Sequence, residues 1–146
     1  MIPARLPAVR IRCPQEHEAR VSRALAAAGL TPERSLTWLV VRDADPDAVN
    51  EALVAGGAVP RVAVRERIGQ LVGWVLDRQG QVDGRAANVE MLVKKVLDDA
   101  GLATALKPRP PEALLSAARA LHEHLMSTGA GFVSWTRFAE AFCEPV

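Results

Sequence analysis

Hydrophobic and polar residues alternate in two early stretches of the chain, PAVRIRC (7–13) and SLTWLVV (35–41). A period of two, with β-branched or large apolar residues at alternate positions, predicts strands. Each stretch precedes a segment of helical period. Val21, Leu25 and Ala28 fall on one face of the first helix, and Val49, Leu53 and Gly56 on one face of the second. Gly29 and Gly57 stand where these helices end, because glycine enters the left-handed conformation at little cost. Asp45 followed by Pro46 reads as a helix start, an N-cap with proline in the first turn. A third strand is expected over about 59–64, completing a β-α-β-α-β order.

The two halves of this region repeat. EARVSRALAAAGL (18–30) aligns with PDAVNEALVAGGA (46–58), matching Val21 to Val49, Ala24 to Ala52, Leu25 to Leu53, Ala27 to Ala55 and Gly29 to Gly57. The same offset carries the first strand onto the second. Strands joined through helices of this length are normally parallel, so the pattern predicts a small three-stranded parallel sheet in an α/β or α+β fold.

From Ile68 the period becomes helical throughout. Ile68, Leu71, Val72, Val75 and Leu76 form one stripe, and Val89, Leu92, Val93, Val96 and Leu97 another. ALKPRPPE (105–112) reads as a stiff connector, and Pro111 suits the first turn of a helix reaching about Met126. Ser134 is the expected N-cap of a last helix, with Val133 stapled onto Phe138. The chain thus divides into a β-α-β-α-β half (1–67) and a four-helix half (68–146). A parallel sheet needs cover on both faces, so the helices are expected to pack onto the first half as one domain.

Composition narrows the class. With 49% hydrophobic and 24% charged residues the chain is globular, and at 146 residues it needs no disulfide or metal to hold a core. Cys13 and Cys143 are too far apart for a C-x-x-C site and read as buried small hydrophobes. MIPARLPAVRIRC lacks the apolar core of a signal peptide, and no run approaches a membrane span, so a cytoplasmic location is expected.

Two partial resemblances follow from short motifs. DPDAVNEALVAGGAVPRVAVRER (45–67) resembles the small C-terminal α/β region that follows the nucleotide-binding domain in some bacterial ABC-transporter ATPases. The resemblance implies at most a similar accessory fold, because no G-x-x-x-x-G-K-[ST] loop is present to cradle phosphates. Gly80-Gln81-Val82-Asp83 and Gly131-Phe132-Val133-Ser134 resemble the second half of an EF-hand loop. Val75 and Met126 stand at the first ligand position there, and Ala86 and Arg137 replace the bidentate glutamate. Calcium needs several oxygen ligands, so the loops at 77–84 and 127–134 read as structural turns.

No catalytic, metal or cofactor motif emerges. His122 and His124 are two apart and point to different sides of their helix, unlike the four-residue spacing of H-E-x-x-H. His17, between Glu16 and Glu18, reads as part of an exposed helix start. Asp43, Asp45 and Asp47 end the second strand, where ligands of parallel sheets bind, but helix capping already explains them. Arg10, Arg12, Arg61 and Arg65 alternate with apolar residues and are expected on one sheet face, a candidate phosphate grip. Residues 1–67 carry 10 Arg against 8 acids, so the basic excess lies in this half. Trp74 and Trp135 are candidate anchors for a partner, tryptophan being enriched at binding hot spots.

Three function classes follow. The first is a non-enzymatic interaction, oligomerisation or adaptor module, with a protein partner or self-association and no membrane. The second is a nucleic-acid-binding accessory protein using the arginine face. The third is a small enzyme or ligand sensor with its site at the strand ends.

Overall fold

The structure, a computed structural model, describes residues 3–58, 60–78, 86–129 and 132–146. The Gly80–Asp83 turn lies outside the described residues, as does Gly131. The side chain of Arg61 is likewise outside the description.

The first half contains β1 (Leu6–Arg12), α1 (Glu18–Ala27), β2 (Glu33–Ser35), β3 (Trp38–Ala44), α2 (Pro46–Ala55) and β4 (Arg61–Val62). The sheet order is β2-β3-β1-β4, and every neighbouring pair is antiparallel. The mixed class holds, but the expected parallel sheet does not form. The reason is a hairpin. After α1 the chain returns along β2, turns at Leu36–Thr37, and lays β3 between β2 and β1. The result is the split β-α-β, or ferredoxin-like, arrangement.

The internal repeat survives as two interleaved β-α-β units, β1-α1-β2 and β3-α2-β4. The helices keep the offset of 28 (46 − 18), but β1 and β3 start 32 apart (38 − 6). The difference of four is taken up by the longer connection after β1, which holds a short 3-10 turn at Gln15–His17, while Asp45 alone joins β3 to α2. An even shift leaves the inward-facing alternation intact.

Register separates the two faces of the sheet. Val9 pairs with Val41, and Ile11 pairs with both Leu39 and Val62, all five buried. Arg34 shares this register with Leu39 and bonds Glu18 of α1, which puts α1 on that face. Arg10 shares register with Val40 and reaches α4 on the other face. Where α1 meets α2 the helices touch closely: a Cβ at Gly56 would lie 2.4 Å from the Ala24 Cβ.

The expected third strand is only two residues long. At Ala63 the chain becomes α3 (Ala63–Arg78), so Val64 and Arg65 lie on a helix. A short apolar run with Arg at both ends fits either period, and burial of Ala63, Val64 and Ile68 selects the helix. Then come α4 (Ala86–Ala100), β5 (Leu106–Pro108), α5 (Pro111–Thr128), α6 (Trp135–Phe142) and β6 (Cys143–Pro145). The connector at 105–112 therefore contains a strand, β5, which pairs antiparallel with β6 in a second sheet. The anticipated caps are present: Asp45 accepts the Asp47 N–H and Ser134 accepts the Arg137 N–H.

Both α3 and α4 pack against β1. One continuous set of buried side chains runs from Leu6 through the helices to Cys143. No helix among the described residues is long and apolar enough to cross a membrane.

Candidate functional site

The arginines singled out by alternation are largely engaged within the chain. Arg10 donates to the Asp98 carbonyl at 3.4 Å and to Asp99 Oδ1 at 3.3 Å. Arg67 donates to the other Asp99 oxygen at 3.1 Å. Asp99 thus fastens α4 to β1 through Arg10 and to α3 through Arg67. Arg42 pairs with Glu33 on the neighbouring strand at 3.2 Å. Arg12 is exposed, stands opposite Arg61 in register, and with Arg10 lies over the Trp38 ring at 5.4 and 5.2 Å. Arg65 is not on the sheet at all.

The two tryptophans proposed as anchors also sit differently. Trp135 is fully buried against Phe138, and its indole N–H donates to the Pro3 carbonyl at 2.8 Å. It holds the chain to itself and offers no surface to a partner. The i, i+3, i+7 spacing of Trp135, Phe138 and Phe142 places all three on the buried stripe of α6. Trp74 is partly buried against the core.

The three aspartates at and beyond the end of β3 diverge. Asp43 has a φ of 49°, is exposed, and stands 3.7 Å from Arg5. Asp45 caps α2. Asp47 turns the other way, accepting the Trp135 backbone N–H at 2.8 Å and standing 3.4 Å from Arg65. Burial raises the Asp47 carboxyl above its ordinary range, against the opposing pull of the Trp135 N–H and Arg65. Among the described residues no three His, Cys, Asp or Glu side chains gather as a metal-holding group.

A concavity lies elsewhere, beside this Asp47–Arg65 pair. A cleft of about 770 Å³ opens along α2 at Asp47, Asn50, Glu51, Val54 and Ala55, with Phe132 and Ser134 opposite. A second hollow of about 490 Å³ adjoins it and runs along α3 at Arg65, Glu66, Gly69 and Gln70. Asn50, Arg65 and Phe132 line both, so the two form one groove between α2 and α3.

Its apolar content is exposed. Phe132 is 66% and Val54 69% accessible. Phe132 is nevertheless held: the Arg65 guanidinium stands 5.3 Å from its ring and donates to the carbonyl of the adjacent Val133. Arg65 itself is only 13% exposed, and Asp47 answers its charge. No protein-family model matches the chain, and searches of curated proteins and of solved structures find no match.

Sequence reasoning missed this groove. Val54 lies off the Val49–Leu53 stripe of α2, a signal of an apolar side chain turned outward. Phe132 sat in a segment read only as a turn. Their proximity comes from the start of α6 being tied to α2 by the Trp135 N–H on Asp47, which no local pattern encodes.

Proposed function

We propose that this chain is an interaction module that docks a protein partner in the groove between α2 and α3. The observation that carries the reading is Phe132, an exposed aromatic ring fixed over a guanidinium that is itself neutralised. A pre-positioned aromatic at the centre of a concave apolar surface loses little freedom on binding and has the character of a hot spot. An enzyme or sensor site at the strand ends has less support, since Asp43, Asp45 and Asp47 point to separate tasks.

The test is capture of interacting proteins from the producing cell with the natural chain and with Phe132→Asp, alongside sedimentation over a concentration series. The expected result is a partner, or a second copy, that the natural chain holds and the variant loses at unchanged fold. Identical captured proteins and identical sedimentation for both chains would overturn the reading.

One observation favours a second reading. Arg12, exposed at the end of β1 and over the Trp38 ring, supplies a small cationic site suited to phosphate. Anisotropy with labelled single-stranded DNA, duplex DNA and RNA tests it. Salt-sensitive binding that Arg12→Ala weakens is the expected result, and no binding at low salt would remove it.

A further inference from the structure

We infer that the groove takes an amphipathic helix whose apolar anchors are flanked by lysine or arginine. The inference rests on reading the groove as a docking site and names its occupant.

Shape argues for a helix. Two of the groove's walls are helices, whose backbone groups are already bonded internally, and Phe132 and Ser134 complete the lining. The edge strand β4 reaches the groove only at Val62 and is two residues long, too short an edge for an extended peptide to add to as a strand. An occupant settled there must satisfy its own backbone, as a helix does.

Charge argues for cations. Glu51 on α2 and Glu66 on α3 stand on opposite walls, and neither has an ion-pair partner among the described residues. Arg65, the one cation among the described residues lining the groove, is taken up by Asp47 and the Val133 carbonyl. Two carboxylates therefore face the groove uncompensated on either side of Phe132 and Val54. Such a surface favours an apolar side chain with positive charge to both sides.

Gly69 fits the same picture. It stands in the interior of α3, where glycine costs about 1 kcal/mol relative to alanine. A Cβ there would meet nothing within 4 Å, so packing within the chain does not require its absence. The missing side chain leaves room for the backbone of an incoming helix at the groove wall.

The test uses a fluorescein-labelled synthetic helix of about 16 residues, long enough to form four turns. It carries leucine anchors at i and i+4 flanked by lysine and arginine. A twin has glutamate at every cationic position. Anisotropy is read for the natural chain, for Glu51→Lys/Glu66→Lys, and for Phe132→Ala. The natural chain should hold the basic helix about tenfold more tightly than the twin. The double variant should lose that preference, and Phe132→Ala should weaken both. If the twin binds as tightly as the basic helix and Phe132→Ala still weakens it, the charge inference falls and the docking site stands. An unchanged affinity of the basic helix for the double variant also overturns the inference. Binding of neither helix overturns it too, and capture with Phe132→Asp then judges the docking site separately.

Discussion

Asp47, in the first turn of α2, accepts the backbone N–H of Trp135, the first residue of α6, across 88 positions of sequence. One carboxylate thus serves two helix starts, since it also lies in the favourable field at the N-terminus of its own helix. It additionally answers Arg65. Replacing it with alanine leaves a part-buried N–H and a nearly buried guanidinium without that partner. Asp47→Ala should cost about 2–4 kcal/mol in urea unfolding. Asp47→Asn keeps an acceptor and escapes the burial penalty on charge, so it should cost at least about 1 kcal/mol less. Equal losses for the two would remove the capping role.

The close approach of α1 and α2 sets a second expectation. Gly56→Ala drives a Cβ to 2.4 Å from the Ala24 Cβ. It should destabilise by about 1–3 kcal/mol, as overpacking does. Adding Ala24→Gly should recover much of that loss. A double variant no more stable than Gly56→Ala would place the strain elsewhere.

The hairpin between β2 and β3 turns on Leu36, which has a φ of 54° and is 91% exposed. A leucine in the left-handed region costs about 1 kcal/mol and here gains little from burial. Leu36→Gly should therefore leave the fold unchanged and raise the unfolding free energy slightly, by up to about 1 kcal/mol after the entropy of the unfolded glycine is counted. A loss above about 1 kcal/mol would mean that the Leu36 side chain has a packing role.

Burial pushes the Cys143 thiol up from its ordinary 9.0 to about 12, with Arg109 pulling weakly the other way. The native chain resists ionising this thiol while the unfolded chain does not. Its contribution is therefore intact below pH 9.0 and lost as pH rises toward 12. At pH 10 the loss should be on the order of 1 kcal/mol. Cys143→Ala should flatten that part of the stability profile. An unchanged alkaline slope in the variant would assign it to other groups. Cys13 is also buried and raised, so neither thiol should react with a disulfide reagent near pH 8 until the chain unfolds.

What the sequence made legible was local. Asp45–Pro46 and Ser134 announced helix starts because a cap and its N–H partner lie within three residues. The stripes of α3 to α6 announced buried faces because periodicity is a property of one helix alone. Strand direction was not legible. It depends on a reversal at Leu36–Thr37, which lacks the Asn-Gly or Asp-Gly chemistry that marks a two-residue hairpin. Arg65 was misplaced because Val62 and Val64 satisfy a strand pattern as well as the entry to a helix. β5 was hidden by Pro108 and the prolines that follow it; an edge position of a two-stranded sheet tolerates Pro108. The groove arises from three segments far apart in the chain, and only the outward-facing Val54 hinted at it.

The interleaving of the two β-α-β units has a consequence for how this chain can be divided. In a solenoid each repeat closes on its neighbour, and repeats can be added or removed. Here β1 pairs with β3 and β4, both from the other unit, while its own partner β2 bonds only β3. Neither unit holds an adjacent pair of its own strands. Half of the repeat therefore has no sheet to form, and the symmetry visible in the helices confers no modularity. β1 has no strand to pair with until β3 has been made.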